Sequence, residues 1–299
     1  MINFIKYRLF TAFVSFLLIG SFIGFALYKR QTTGEVFRYS VDFTGGAQVL
    51  LKFSESVSAQ TVKDILDVSG WDGAIVREFG ENELLVRVKL DEVVQELGTV
   101  AERMQKAIQE KLPNVTVTIL QSESVGPGVG EALRGKSVRA VVIALLAILA
   151  YIALRFWSLG FALGAVVALF HDAMLMLATF LILNREISIN VIGAILAVMG
   201  YSINDTIVIF SQIRQNMKKM AHDSLADVVN ISINQTLRRT LLTSISTGLT
   251  VGSMLILGGE ALRDFSLALL VGIIVGTYSS IYIASPVMML LQSGKKAQV

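Results

Sequence analysis

The chain contains no cysteine, and only 16% of its 299 residues are charged, whereas 54% are hydrophobic. Without cysteine there is no disulfide framework, no thiol nucleophile and no metal site built on thiolates. A soluble domain of this length needs far more polar surface than so few charges supply. The mean hydropathy of +0.65 therefore predicts that most of the chain faces lipid.

A helix that crosses a bilayer needs about 20 mostly apolar residues. Six stretches meet this requirement: Leu9–Tyr28, Val138–Leu154, Leu159–Leu183, Ile189–Phe210, Leu241–Leu257 and Phe265–Leu291. The first follows Lys6 and Arg8, as the apolar core of a signal peptide would. However, it is long and ends in Tyr28-Lys29-Arg30 rather than in small residues, so we interpret it as an uncleaved anchor.

Basic residues in the short loops predict the orientation, because lysine and arginine are enriched on the cytoplasmic side of a membrane. The loops on one side hold only Arg185 and Arg263. The other side holds Lys6, Arg8, Arg155, Arg214, Lys218, Lys219, Arg238, Lys295 and Lys296. We therefore expect a multi-pass protein of the cytoplasmic (inner) membrane with both termini inside the cell.

Three parts follow from this pattern. Residues 1–29 form the first span with its cytoplasmic tail, and residues 30–135 form a domain outside the cytoplasm. Residues 136–299 form a region of five membrane helices, which includes a cytoplasmic loop at 211–238 and a C-terminal tail. The predicted fold class is thus an α-helical membrane protein with six transmembrane helices and an inserted external α+β domain.

The external domain shows the alternation of strands and helices. "VFRYSVDFTGGAQVLLKF" predicts strand, turn and strand, or one bent strand, with the break at Gly45-Gly46. A short helix, a hairpin, the apolar-striped helix "DEVVQELGTVAERMQKAIQEKL" and the strand "VTVTIL" follow. The order β-α-β-β-α-β is that of a ferredoxin-like unit. No cluster of histidines or carboxylates suited to catalysis is evident, so we expect no enzyme and no metal site.

One stretch imitates a nucleotide-binding loop. Residues 130–137, "GEALRGKS", match the pattern G-x-x-x-x-G-K-[ST], in which a glycine-rich turn between strand and helix wraps its amides around phosphates. Here the helix that follows is a predicted span, and the loop would lie where nucleotide is scarce. We therefore reject nucleotide binding, and interpret Gly126-Pro127-Gly128 and Gly130 as a bend that leads into the span.

Two polar residues, Asn204 and Asp205, interrupt the apolar segment "GYSINDTIVIF". A charged side chain costs several kcal/mol near the centre of a bilayer, so an intramembrane acid usually faces water or a partner and has a function. Asp205 shares a helical face with Ser202 and Tyr201, three and four residues earlier. The predicted orientation places Asp205 nearer the cytoplasm than the external side.

The next span carries a polar stripe at helical spacing. Its members are Gln235, Arg239, Thr243, Ser246 or Thr247, and Thr250. Arg239 is predicted at a depth similar to that of Asp205, and its charge is permanent, so its approach would change the proton affinity of the carboxylate. This arrangement predicts a proton relay. The alternatives are a static ion pair whose neighbouring hydroxyls hold helices together, or an arginine that anchors the helix at the interface.

Two further features lie in the spans. His171-Asp172 is a second intramembrane polar pair, and the sequence leaves open whether it belongs to the relay or is a buried, satisfied pair. Gly272 and Gly276 form a small-residue motif that favours close contact between helices rather than chemistry.

Five motifs, in this order, carry a resemblance over nearly the whole chain: "VDFTGG", "VGPGVGEAL", "GYSINDTIVIF", "NQTLRRTLLTS" and "GTYSSIYIASP". On these residues the chain resembles the SecF family, membrane subunits of the bacterial Sec protein-export machinery. The resemblance implies a membrane core of the resistance-nodulation-division type with an external ferredoxin-like domain. It also implies that the family's proton-linked aspartate falls on Asp205 and its arginine on Arg239.

The resemblance further implies partners and an energy source. The expected partners are SecD, the SecYEG channel, accessory membrane proteins of the YajC and YidC type and the exported polypeptide, with no nucleic acid. The coupling ion would be the proton, with no other cofactor. One departure is that the family commonly has D-R-I-R-E after the aspartate helix, where this chain has Ser211-Gln-Ile-Arg-Gln215. A small-molecule exporter of the same superfamily and a scaffold without proton chemistry remain as alternatives.

Overall fold

The computed structural model describes residues 1–71, 73–88 and 97–292. The chain divides into two compact units. The α+β unit is Tyr39–Val138, and the membrane unit combines Met1–Arg38 with Arg139–Val299. The first turns of the predicted helix that begins at Asp91, and the C-terminal Lys295 and Lys296, lie outside the described residues.

The described part of the chain is mostly helical, and four of its six strands lie wholly within the α+β unit. In chain order the elements are α1 (Arg8–Thr33), β1 (Arg38–Tyr39), α2 (Val41–Thr44), β2 (Gly46–Phe53), α3 (Ala59–Val68), β3 (Ile75–Gly80), β4 (Glu83–Val88), α4 (Leu97–Lys111), β5 (Val117–Val125), α5 (Pro127–Phe156), α6 (Leu159–Ile182), β6 (Glu186–Ile187), α7 (Ile189–Lys219), α8 (Leu225–Leu257), α9 (Glu260–Ser279) and α10 (Ser285–Gln292).

Six helical segments in the described residues are long and apolar enough to cross a membrane, as the sequence predicts. They correspond to α1, α5, α6, α7, α8 and the combined α9 and α10. The segment 211–238, expected as a loop, is helical except for residues 220–224, because α7 and α8 extend well beyond their apolar windows. Ser224 begins α8 by accepting a hydrogen bond from the amide of Asp227.

A π-helical turn, Ser280–Ala284, joins α9 to α10. Pro286 follows it, and proline has no amide hydrogen to donate to the preceding turn of a helix. The hydroxyl of Ser285 donates to the carbonyl of Ser280 at 3.2 Å. Such turns are often found at functional sites, and this one is buried against α6 and α7.

The α+β unit has the predicted β-α-β-β-α-β order. Its antiparallel sheet has the strand order β3-β4-β2-β5, and α3 and α4 cover one face around a core that includes Val49, Leu51 and Met104. One expectation is correct only in part. A short strand, β1, precedes the break, but residues Val41–Thr44 between it and Gly45 form the helical turn α2. Gly45 and Gly46 have φ values of 72° and 119°, which residues with a side chain disfavour.

The residues that imitate a nucleotide-binding loop lie inside α5. Their amides belong to the helix and do not form a turn around a phosphate. Gly130 has a packing role instead, because a Cβ atom there would lie 2.9 Å from the backbone nitrogen of Gly45 and 3.0 Å from the carbonyl carbon of Phe43. The motifs "VDFTGG" and "VGPGVGEAL" are thus in close contact within the α+β unit.

The membrane unit is held together by close helix contacts. A Cβ atom on Gly272 would lie 2.4 Å from Cγ2 of Val198, and one on Gly276 would lie 2.9 Å from Cβ of Ser202. Both glycines are on α9 and allow its backbone to approach α7, as small residues do in membrane helices. This contact brings the polar residues of α7 and α9 together.

Candidate functional site

Asp205 lies on α7 with 4% of its surface exposed, and it faces α8. The hydroxyl of Ser244 on α8 donates to Oδ2 of Asp205 at 3.4 Å. The same hydroxyl lies 2.7 Å from Oγ1 of Thr277 on α9, and Thr277 donates its own hydrogen to the carbonyl of Ile273. Ser244 therefore has one hydrogen for two acceptors, and the longer contact with Asp205 is the weaker one.

No cation is paired with Asp205 among the residues that the structure describes. Arg239 is exposed on the surface of α8 and is not within ion-pair distance of the carboxylate. The ionised carboxylate at this buried position thus has one weak hydrogen bond and no cation within ion-pair distance among the described residues. The arrangement suits a group that exchanges a proton rather than a permanent ion pair.

The predicted polar stripe of α8 lies mostly on the exposed side of that helix. Thr243 and Thr247 are half-buried and donate to carbonyls of their own helix, at Arg239 and Thr243 respectively. The buried hydroxyls are one residue further along, at Thr236, Thr240 and Ser244. Gln235 is exposed, and its side-chain oxygen accepts hydrogen bonds from Gln212 and Asn216 of α7 at 2.7 and 2.8 Å.

The predicted neighbours of Asp205 on α7 point in different directions. Ser202 is buried, and its hydroxyl donates to Oδ2 of Asp172 at 2.7 Å. Asn204 is exposed on the surface of the chain. Tyr201 is half-buried, and its hydroxyl oxygen is buried with no hydrogen-bond partner among the described residues. The structure therefore joins Ser202 to the His171-Asp172 pair rather than to Asp205.

The His171-Asp172 pair on α6 is buried, with 3% and 0% of its surface exposed. Nδ1 of His171 is 3.4 Å from Oδ1 of Asp172, and Nε2 is 3.1 Å from the hydroxyl of Ser15 on α1. Gly276 closes the site on the α9 side, because a Cβ atom there would lie 3.5 Å from Oδ2 of Asp172. The second polar pair of the sequence is thus connected to three other helices.

A short hydroxyl contact links this region to the π-helical turn. Oγ1 of Thr206, next to Asp205 in the chain, lies 2.8 Å from Oγ of Ser280, and both side chains are buried. Ser280 also reaches the carbonyl of Ser202 at 3.4 Å. The π-helical turn therefore contacts α7 both next to Asp205 and at Ser202, the hydrogen-bond partner of Asp172.

Several of these residues could not be selected from the sequence. Ser15, Thr206, Ser244, Thr277 and Ser280 are serine and threonine residues in spans that contain many of them. Their only distinguishing property is position in the fold. No group of three or more histidine, aspartate and glutamate side chains that could hold a metal ion is present in the described ranges.

Comparisons with known proteins agree with the fold. The family model described as "Protein export membrane protein SecD/SecF, C-terminal" matches residues 83–294, and the "SecD/SecF GG Motif" matches residues 36–57. The protein translocase subunit SecF of Thermodesulfovibrio yellowstonii is 37% identical over 92% of this chain and 89% of its own length. SecF of Pseudomonas aeruginosa is 39% identical over 85% of this chain and 81% of its own length.

A longer relative has the same region as part of a fusion. The protein translocase subunit SecDF of Thermus thermophilus is 41% identical over 88% of this chain, but the chain spans only 35% of that protein. The crystal structure of this translocon-associated membrane protein superposes with a TM-score of 0.83, at 37% identity, over 98% of this chain and 39% of the solved one. A crystal structure of SecDF in a super-membrane-facing form gives a TM-score of 0.70. The family models, the SecF relatives and the superposition lead to one conclusion: the chain belongs to the SecD/SecF family of protein-export membrane proteins.

Proposed function

We propose that the chain is a proton-coupled subunit of the Sec protein-export machinery that works together with SecD. The observation that carries the proposal is the position of Asp205, which is buried in a membrane span with one weak hydrogen bond and no paired cation among the described residues. Intramembrane acids of this kind commonly belong to proton pathways. The family membership indicates the process, which is protein export, and Asp205 is the residue that we propose binds the proton.

The energy available from protons is sufficient for mechanical work on a polypeptide. One elementary charge that crosses 100 mV releases about 2.3 kcal/mol. A carboxyl group that binds a proton from one side of the membrane and releases it to the other would use this energy to switch α7 and α8 between two packings. The contact between Asp205 and Ser244 joins these two helices.

Water access to the site is supported by two buried hydroxyl groups. The oxygens of Tyr201 and Thr240 are buried and have no hydrogen-bond partner within the described part of the chain. Buried polar atoms are nearly always satisfied, and water is the usual partner where protein groups are lacking. Tyr201 is four residues before Asp205 on α7, and Thr240 is four residues before Ser244 on α8. Water at these groups would lead toward the carboxyl.

The exposed face of α8, which carries Arg239, supports the proposal of a membrane partner. A permanently charged guanidinium group is costly against lipid. The Thermus thermophilus relative holds the corresponding region in one chain called SecDF, and we propose that SecD covers this face and brings Arg239 toward the relay. We also propose cytoplasmic termini, an α+β unit outside the cytoplasm, and association with the SecYEG channel, YajC or YidC-type proteins and the exported polypeptide.

The test is gradient-dependent export into membrane vesicles that contain SecD and the channel. Asp205→Asn keeps the size of the side chain but cannot gain or lose a proton, so the stimulation of export by the proton gradient should disappear. Asp223→Asn makes the same chemical change at an exposed position between α7 and α8 and should retain the stimulation. Full stimulation in Asp205→Asn and Arg239→Met would instead support a scaffold without proton chemistry.

A further inference from the structure

The His171-Asp172 pair is a second buried group with titratable side chains, about one helical turn away from Asp205 along α7. Ser202 of α7 and Ser15 of α1 contact it directly, and the ring of Tyr278 on α9 stacks beside the imidazole with centroids 6.0 Å apart. No lysine or arginine pairs with it anywhere in the ranges that the structure describes.

The hydrogen bonds that lead away from this pair have a fixed direction. The carbonyl oxygen of Thr11 on α1 can only accept, so the hydroxyl of Tyr278, 3.0 Å away, donates to it. A hydroxyl has one hydrogen, so Tyr278 accepts in its 3.1 Å contact with Ser15, and Ser15 is the donor there. Ser15 has then used its own hydrogen.

The same reasoning determines the protonation of the imidazole. Ser15 must accept in its 3.1 Å contact with His171, so Nε2 of His171 carries a hydrogen. Nδ1 faces Oδ1 of Asp172 at 3.4 Å, and a second proton is required between these two atoms, because two lone pairs would otherwise face each other. That proton belongs to the imidazolium or to the carboxylic acid. Oδ2 is the acceptor for Ser202 in either case.

We propose that His171 and Asp172 form a second proton-carrying site, whose occupancy is transmitted to α1 through Ser15 and Tyr278. The hydrogen-bond directions argued above are those of the site with its proton bound. The inference rests on the proposed function, because it adds a step to proton coupling at Asp205.

Release of the proton reverses the chain of hydrogen bonds. Nε2 passes its hydrogen to Ser15, Ser15 passes its own to Tyr278, and Tyr278 passes its own to a water molecule near the Thr11 carbonyl. Each hydroxyl gains one hydrogen and loses one, and one proton leaves the protein. His171 then keeps a hydrogen only on Nδ1, which points at the Asp172 carboxylate, and Tyr278 now donates to Ser15.

The consequence is a lost hydrogen bond at the backbone of α1. In the deprotonated site the Tyr278 hydroxyl no longer donates to the carbonyl of Thr11. Thr11 and Ser15 are one turn apart on α1, and α1 is the helix that precedes the α+β unit in the chain. A change in how firmly α9 holds α1 is therefore a means by which a proton inside the membrane could act on that unit.

Few other titratable groups face the pair from the elements packed around it. Tyr278 comes from α9, and the contacting residue of α7 is the uncharged Ser202. On α1 the contacting residue is the uncharged Ser15, and Thr11 contacts Tyr278. Because the pair lies away from the charged ends of the helices, the gain or loss of one proton there is a large change in the local charge.

The first test uses export in the vesicles described above, with SecD present. His171→Gln and Asp172→Asn cannot carry the proton and should reduce the gradient-dependent part of export about tenfold, the effect of removing one member of a buried hydrogen-bonded pair. Tyr278→Phe removes only the hydroxyl that ends the chain and should reduce it several-fold. Ser15→Ala removes the middle hydroxyl of the chain and should also reduce it several-fold. Its matched control is Ser266→Ala, because Ser266 is a buried serine whose hydroxyl bonds only its own helix.

The outcomes separate this inference from the function on which it rests. If Asp205→Asn abolishes gradient-dependent export while the His171, Asp172, Ser15 and Tyr278 variants keep it, the pair is a structural contact and the inference is wrong. If Asp205→Asn keeps gradient-dependent export, the proposed function is wrong, and the inference that rests on it is wrong as well.

A second measurement uses the native side chains and does not depend on how the variants fold. The chain has two histidines, so ¹⁵N-histidine NMR of the His222→Gln protein in bilayers reports His171 alone. We expect Nε2 to carry a hydrogen at low pH and to lose it as the pH rises, with Nδ1 protonated at high pH. An Nε2 that stays protonated at every pH at which the protein is folded would overturn the inference.

Discussion

The hydroxyl of Ser202 donates a hydrogen bond of 2.7 Å to the carboxylate of Asp172, although Asp205 lies one turn away on the helix of Ser202 itself. The helix α7 therefore serves two buried acids on different sides. It meets α6 through Ser202 and α8 through Asp205. A rotation or shift of α7 would change the surroundings of both acids at the same time.

The Ser202 contact depends on the absence of a side chain at Gly276. In Gly276→Ala the new Cβ atom would lie 2.9 Å from Cβ of Ser202 and would push α9 away from α7. We expect a loss of about 1–3 kcal/mol in stability and a marked loss of gradient-dependent export. Thermal unfolding of the purified protein measures the first effect. Gly193→Ala on α7 is the control, because nothing lies within 4 Å of its Cβ position.

The Ser244 hydroxyl is the only side chain in the described residues that donates to Asp205. In Ser244→Ala the carboxylate loses this donor, at a cost of about 1 kcal/mol to its ionised form, so the gradient-dependent rate of export should fall several-fold. Ser246→Ala, an exposed serine on the same helix, should export like the wild type. Equal rates for the two variants would show that Ser244 has no part in the relay.

The N-terminal segment is fastened to α8 by two asparagines one turn apart. Asn230 accepts from the amide of Phe4, and Asn230 and Asn234 both donate to the carbonyl of Ile2. Phe4 and Ile5 are buried in the membrane core at this end.

The double variant Asn230→Ala, Asn234→Ala should release this segment. Each lost hydrogen bond contributes about 1 kcal/mol, so cleavage by a protease near the N-terminus should become at least several-fold faster. Asn204→Ala removes an exposed asparagine and should leave the cleavage rate unchanged. Identical cleavage of the double variant and the wild type would mean that the segment is held by Phe4 and Ile5 alone.

The α+β unit provides a test of the two glycine motifs. Alanine normally stabilises an exposed helix relative to glycine by about 1 kcal/mol, and Gly135→Ala on α5 should follow this rule, since nothing lies within 4 Å of its Cβ position. Gly130→Ala should instead destabilise the unit by about 1–3 kcal/mol, because its Cβ atom would meet the backbone of Gly45. Denaturant unfolding of both variants gives the comparison, and the same sign of change in both would contradict the proposed packing.

Much of the fold could be predicted because it depends on local composition. Apolar runs give the six spans, and alternation and helical periodicity give the order of the α+β unit. The sequence does not predict the helical start of α8, because its first turns contain asparagine, glutamine and arginine, and only the cap at Ser224 indicates a beginning there. The sequence does not predict the helical turn α2 either, because four residues are too few to show a helical periodicity.

The site could be predicted only in part. Asp205 and His171-Asp172 stand out because charge is rare in an apolar segment. The face of α8 that meets Asp205 could not be chosen, since hydroxyl residues occur on adjacent faces, and the buried one is shifted by a single residue from the stripe that contains Arg239. The link between His171 and Ser15 joins residues 156 positions apart, and only the packing of α1 against α6 reveals it.

The protonation of Asp205 during coupling is the central claim, and infrared difference spectroscopy of the complex with SecD in bilayers measures it directly. We predict a carbonyl band of a protonated carboxyl group that appears and disappears when the pH is changed, and that is missing in Asp205→Asn but present in Asp223→Asn. A spectrum in which Asp205→Asn and the wild type show the same bands under all conditions would mean that this carboxyl group never exchanges a proton, and would contradict the account.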